Sequence, residues 1–199
     1  SKEKVHELEI LGDDLAHYSK RTIDIFYKYP FGDDEVVGLA YRGDFDLKNH
    51  KIDYYDEESK ERFVPHTIEP SFGVDRALLA AFCEAYTEDE MSGSKRVFMK
   101  FKPEIAPIKA AVFPLLKNKP ELVARAREIY EALKKEINPV VFDDNGNIGK
   151  RYRRQDEIGT PYCVTVDFET LEDGAVTLRD RDTGEQERVK PEEIAERLR

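Results

Sequence analysis

The chain has 199 residues, enough for one large or two small domains at about 100–200 residues each. Apolar types make up 40% and charged types 37%, with a net charge of −10, so a core is possible beneath a highly charged surface. That balance excludes a uniformly polybasic protein that coats phosphate backbones, and no apolar run approaches the ~20 residues a membrane-spanning helix needs.

In chain order, Val5, Leu8, Leu11 and Leu15 recur at helical spacing and predict a helix. Thr22–Tyr27 is β-branched and aromatic, predicting a strand stopped by Pro30-Phe31-Gly32. Glu35–Tyr41 reads as the next strand, Asp56–Lys60 as a turn, and a further strand starts at His66, behind Pro65. Short turns between these strands suggest antiparallel pairing. After Glu69-Pro70-Ser71-Phe72-Gly73 a helix follows, with Val74, Leu78 and Phe82 on one stripe and Ala77, Ala81 and Ala85 between. Residues 1–94 carry −11 and residues 95–199 carry +1, and the shift falls at Met91-Ser92-Gly93-Ser94, which reads as a linker.

The second half alternates strand and helix. Ile108–Phe113 is a strand, Pro120 opens a helix striped by Leu122, Ala126, Ile129, Leu133 and Ile137, and Val140–Phe142 is a short strand. Asp143–Gly146 is a turn, Ile148–Glu157 a short basic helix ended by Gly159, and Tyr162–Phe168 a strand. Val176–Arg181 and Gln186–Lys190 form a hairpin, and Pro191 opens a last helix. The fold class expected is α/β overall: an α+β first half built on an antiparallel sheet, then a mixed-sheet α/β domain. The division expected is 1–94 and 95–199.

Cys83 and Cys163 lie in apolar stretches and His6, His17, His50 and His66 are scattered, so no zinc site is readable; the thiols read as reduced and packed, as in a cytosolic protein. No phosphate loop or dinucleotide fingerprint occurs. Arg42-Gly43-Asp44 spells a cell-adhesion tripeptide, which the cytosolic reading discounts. The chain begins Ser1-Lys2-Glu3, without Met or a signal-like segment, and reads as a piece of something longer.

The informative element is Ile68–Arg76, a strand, a tight turn and a helix start. Glu69 and Ser71 lie two apart, so in extended geometry they face one side, and a carboxylate with a hydroxyl suits an ammonium group. Pro70 fixes the backbone after Glu69, Gly73 permits close approach, and Arg76 in the first helical turn suits an anion. The pairing points to a ligand with cationic and anionic parts, and the competing reading is a strand-to-helix corner with surface charges. The basic cluster Lys150, Arg151, Arg153 and Arg154 suits phosphate contact, with Tyr152 available to stack on an unpaired base. Against that stands a solvated helix face, because Asp143, Asp144, Asp156 and Glu157 flank it.

The segment Glu69-Pro70-Ser71-Phe72-Gly73-Val74-Asp75-Arg76 resembles motif 3 of class II aminoacyl-tRNA synthetases in their glycyl form. The resemblance extends through Leu15–Lys20, Pro30-Phe31-Gly32, Glu35–Arg42 and Asp44–Leu47 of the active-site sheet. It continues through Ala106–Val112, Asn147–Arg154, Gly159–Tyr162 and Arg179–Thr183 of the anticodon-binding domain. It implies a glycine–tRNA ligase: the end of a catalytic domain in 1–94 and an anticodon-binding domain in 95–199. Glu69, Pro70, Ser71, Phe72 and Gly73 are implied to bind glycine. Glu35, Val36, Gly73, Val74, Asp75 and Arg76 are implied to lie at ATP, with Arg76 and Glu35 catalytic and Glu35 a magnesium partner. Lys150, Arg151, Arg153 and Arg154 are placed at tRNA. The partners implied are glycine, ATP with magnesium, and glycine tRNA, with no zinc and no membrane, in the cytoplasm and with a homodimeric parent. Two departures stand out. Asp33 follows Gly32 where the family often has tryptophan, and motifs 1 and 2 belong before residue 1, so this chain alone is expected to be inactive. A relative of another class, the non-catalytic accessory subunit of mitochondrial DNA polymerase, shares this architecture; Glu69, Ser71 and Arg76 argue against it.

Overall fold

Glu7-Leu8-Glu9-Ile10 alternates with period two, and in the computed structural model, which describes residues 2–91 and 93–198, this pattern prevails over the helical one. Strand β1 (Val5–Ile10) replaces the expected helix and pairs antiparallel with β2 (Arg21–Tyr29), Glu7 opposite Ile25. Gly12, at φ +63°, ends any continuation toward Leu15. β2 turns at Pro30-Phe31 into β3 (Gly32–Gly43), and a short helix α1 (Phe45–Asn49) follows. β4 (Tyr54–Tyr55) and β5 (Arg62–Phe63) form a small ladder across the expected turn. β6 (Thr67–Phe72) then returns to β3, giving the sheet order β1-β2-β3-β6. Helix α2 (Val74–Ala85) carries the expected stripe, but Val74, Leu78 and Phe82 lie on the surface.

The compact units divide between Cys83 and Glu84 rather than at the charge shift. The reason is a hairpin, β7 (Tyr86–Met91) with β8 (Ser94–Met99), in which Met91 pairs with Ser94. The stretch expected as a linker is therefore the hairpin's turn; Ser92 lies outside the described residues.

In the second unit, β9 (Ala110–Pro114), helix α3 (Pro120–Glu136), β10 (Val140–Phe142), helix α4 (Ile148–Ile158) and β11 (Tyr162–Val166) form two crossovers. A one-and-a-half-turn helix α5 (Phe168–Asp173), β12 (Val176–Asp180), β13 (Gln186–Val189) and helix α6 (Pro191–Arg197) complete it. The sheet order is β10-β9-β11-β12-β13, parallel across β10, β9 and β11 and antiparallel beyond, the mixed sheet expected. Alternation along β9 and β11 sorts their side chains to two faces. Ala110, Val112, Val164 and Val166 meet Leu122, Ala126, Ile129 and Leu133 of α3 and Ile194 of α6, all buried. Ala111, Phe113 and Cys163 meet Ile148 and Tyr152 of α4. Burying each large aliphatic side chain contributes about 1.5–3 kcal/mol, which makes α3 and its stripe the main apolar anchor. Among the described residues, no helix is long and apolar enough to cross a membrane.

Charges tie the hairpin to this core. Asp156, 3% exposed on α4, accepts from Nη1 and Nη2 of Arg179 at 2.8 and 3.0 Å and from Arg96 of β8 at 3.2 Å. Arg96 also grips Asp89 through two hydrogen bonds of 2.9 and 2.6 Å, which holds the Asp89 carboxyl below its usual pKa. Arg181 donates to the carbonyls of Gly159 and Phe101. Asp156→Ala leaves the buried Arg179 guanidinium without a carboxylate and removes one of the two that hold Arg96. It is expected to lower the unfolding free energy by about 3–5 kcal/mol in a urea titration; a loss below about 1 kcal/mol would show that the network is not what holds the hairpin.

Candidate functional site

Two β-bulges shape one face of the first sheet. The ladder pairs Ile25 with Val37 and Phe26 with Glu35, so Val36 is an extra residue on β3. The extra residue lets Glu35 and Gly38, three apart, share a face, where strict alternation would separate them. On that face Thr22, Ala40 and Glu69 form one row across β2, β3 and β6, and Asp24, Gly38 and Ser71 form the next. Small residues make the floor and polar residues the walls. The result is a cleft of about 500 Å³, lined by Glu35, Asp24, Thr22, Gly38, Ala40, Arg42, Glu69, Ser71 and Tyr18, with Ile10, Asp14 and Ala16 at its rim. A Cβ on Gly38 would come within 3.1 Å of Glu35 Oε1 and 3.4 Å of Asp24 Oδ1, so both carboxylates converge on the space that glycine leaves.

Glu69 and Ser71 thus share the cleft. Pro70 and Phe72 do not: alternation along β6 turns them to the opposite face, and Phe72 is exposed there. Their expected place in a glycine pocket is corrected on that ground. Glu69 Oε2 accepts from Arg42 Nη1 at 2.6 Å. Arg42 in turn donates from Nε and Nη2 to Asp46 at 2.6 Å each and lies 3.9 Å over the Tyr18 ring. This pairing holds the Asp46 carboxyl below the usual carboxylate range and raises the Arg42 pKa.

Beside the cleft a second set gathers. Gly73 N donates to the Val36 carbonyl at 2.9 Å, and Arg76 Nη1 donates to the Glu35 carbonyl at 2.7 Å while lying 3.1 Å from the Asp34 carboxylate. Tyr29 Oη donates to the Arg76 carbonyl at 2.7 Å and steadies the first turn of α2. Glu35, Val36, Gly73 and Arg76 are therefore brought together, whereas Val74 and Asp75 project from the exposed start of α2. Sequence reasoning left Thr22, Asp24, Gly38, Ala40 and Arg42 without a site role. Their period-two spacing on adjacent strands was the signal that pointed to them.

In the second unit the basic cluster separates by helix periodicity. Arg151 is 1% exposed and donates to the carbonyls of Pro114, Asp144, Gly146 and Asn145. Its expected contact with tRNA phosphate is corrected: the guanidinium is inside, and burial lowers its pKa. Tyr152 is committed as well, its hydroxyl 2.7 Å from Thr165 Oγ1 and its ring edge-on to Phe113. Arg154 pairs with Asp143 at 2.6 Å, and Arg153 with Glu157 at 3.3 Å. Lys150 and Arg153 are the members of the cluster that face solvent.

Residues 109–199 match a family model described as the anticodon binding domain. The glycine–tRNA ligase of Clostridium acetobutylicum is 49% identical over all of this chain and 44% of that protein. The chain belongs to the glycine–tRNA ligase family. The family's enzymes from Thermobifida fusca and Macrococcus caseolyticus are 49% and 50% identical over 92% of the chain, covering 42% and 40% of their own lengths. The chain thus spans less than half the length of the curated family members it matches.

For a carboxyl with a depressed folded pKa, the stabilisation is present above the unfolded value, about pH 3.9, and is lost as pH falls through the folded value. Asp46 is such a group. A carbon-detected NMR titration is expected to place its midpoint below about 3.9, moving back toward about 3.9 in Arg42→Gln. A wild-type midpoint at or above the free-carboxyl value would mean that the Arg42–Asp46 pair does not persist in solution.

Proposed function

We propose that this chain works within a longer glycine–tRNA ligase, as the end of its catalytic domain and its anticodon-binding domain. The observation that carries this reading is the cleft in which Glu69 and Ser71 stand over the small floor of Gly38 and Ala40. A carboxylate and a hydroxyl at the β6 ends of adjacent rows suit an ammonium, and the shallow floor suits an amino acid without a side chain. Glu35, Val36, Gly73 and Arg76, joined beside the cleft through hydrogen bonds to the carbonyls of Glu35 and Val36, are where ATP phosphates belong in this reading. In activation the glycine carboxylate attacks the α-phosphate and pyrophosphate leaves. Negative charge builds on phosphate oxygens, and a fixed guanidinium stabilises it.

Magnesium bound through one or two carboxylates and the substrate's own phosphates fits Asp24 and Glu35, which converge above Gly38. No group of three His, Cys, Asp or Glu side chains forms an all-protein metal cage among the described residues. When bound, the ion supplies charge neutralisation at the phosphates. Family resemblance supports a homodimeric parent, the cytoplasm as its place, and an incomplete site in this chain alone. Glycine tRNA is the partner of the second unit, supported by the anticodon-binding family match; Lys150 and Arg153 are the phosphate contacts that remain.

The test is glycine-dependent ATP–pyrophosphate exchange by the longest natural protein that carries this chain. Arg76→Ala is expected to remove roughly 2–4 kcal/mol of transition-state stabilisation, and near-normal exchange would sink the phosphate assignment. Glu69→Gln keeps the shape and removes the charge, so the apparent affinity for glycine is expected to fall at least about tenfold while folding survives; unchanged glycine affinity would discard the ammonium site. For tRNA, Lys150→Ala with Arg153→Ala is expected to reduce the slope of log affinity against log salt by about one to two. Arg151→Gln is expected to lower stability without changing that slope, and the opposite pattern would return Arg151 to the interface.

A further inference from the structure

We infer that Arg42 is a positioning residue for glycine activation, holding the Glu69 carboxylate in place for the amino acid's ammonium. The inference rests on the reading of Glu69 as an ammonium partner and goes beyond it. Between β3 and β6 the ladder pairs Tyr41 with Ile68 and Gly43 with Thr67, so Arg42 is the extra residue of a second bulge. A bulge re-aims one side chain. Gly43, at φ +60°, supplies the backbone turn, a conformation that residues with a side chain rarely adopt. The guanidinium of Arg42 is held on two sides. Two of its nitrogens are spent on Asp46 at 2.6 Å, and Tyr18 stacks on its plane at 3.9 Å. Only Nη1 reaches Glu69, at 2.6 Å, and it takes one carboxylate oxygen and leaves the other for a ligand.

The charges explain why Asp46 belongs to the device. A lone Arg42–Glu69 pair would cancel the attraction that an ammonium needs. With Asp46 sharing the guanidinium, the trio keeps a net charge of −1, so Glu69 is both held and still attractive to a cation. The Glu69 side chain is itself 46% exposed, against 19% for Arg42, so the arginine is its fixed neighbour.

Removing the cation makes the cleft more negative. A purely Coulombic role therefore predicts tighter glycine binding in Arg42→Gln, and a positioning role predicts weaker binding. In exchange assays on the longest natural protein carrying this chain, Arg42→Gln is expected to raise the glycine KM roughly tenfold, with the ATP KM unchanged. Arg42→Lys keeps the charge but loses the forked grip on Asp46, and is expected to raise the glycine KM severalfold. It also guards against misfolding of the first variant, and thermal melting monitors both. Glu69→Gln is run in parallel. If it weakens glycine and both Arg42 variants keep the wild-type or a lower glycine KM, the positioning role is overturned and the ammonium site stands. If Glu69→Gln leaves the glycine KM unchanged, the ammonium site falls and the role of Arg42 falls with it.

Discussion

A guanidinium taken out of bulk water stays charged, and it is tolerated there only if oxygen atoms replace its hydration shell; the architecture here is arranged around side chains that meet this demand. In the second unit Arg96 and Arg179 share the Asp156 carboxylate, and Arg181 is satisfied by two backbone carbonyls and Asp182. These contacts link the β7–β8 hairpin, the end of α4 and the β12–β13 turn. Arg151 takes four carbonyls and no carboxylate, drawing the end of β9 and the loop after β10 around one buried cation. In the first unit Arg42 does the same between two carboxylates, half-way to the surface. A chain that carries a net charge of −10 thus places several of its cations where they organise its own backbone.

The apolar code of the second unit was readable in advance because strand and helix periods there do not compete. Leu122, Ala126, Ile129 and Leu133 fit only a helix, Pro120 marks its start, and Gly159, at φ +87°, ends α4 where it was expected. The first unit was harder. Val5, Leu8 and Leu11 satisfy a helical template while Leu8 and Ile10 satisfy a strand one, and only the ladder to β2 decides between them. The hairpin over 86–99 was missed for a related reason. Its strands are rich in charge, and one of the bonds that anchor it, Arg96 to Asp156, spans sixty residues, which a local window cannot contain.

The site was legible in part. Two-residue spacing put Glu69 and Ser71 on one face, and the ladder keeps them there. The same spacing excludes Pro70 and Phe72, a consequence that a contiguous motif conceals. Clustering of Lys150, Arg151, Arg153 and Arg154 in sequence suggested one basic surface. On a helix, neighbours in sequence point in different directions, so α4 sends Arg151 inward and Lys150 and Arg153 outward. Charge counts record composition, and only the helix wheel and the depth of each position turn composition into a surface.

The bulge at Val36 works as a phase shifter. Everything upstream of it on β3 keeps one parity and everything downstream the other, so Glu35 joins Gly38, Ala40 and Arg42 only because one residue is out of step with β2. Deleting a single residue between Glu35 and Gly38 would restore perfect pairing and turn either the carboxylate or the small-residue floor away from the cleft. A shorter, more regular β3 would therefore make a better sheet and a worse site. The length of this strand is fixed by the chemistry it displays, whereas the connection from His50 to Pro65, outside the four-stranded ladder, carries no such parity and is where insertions would be tolerated.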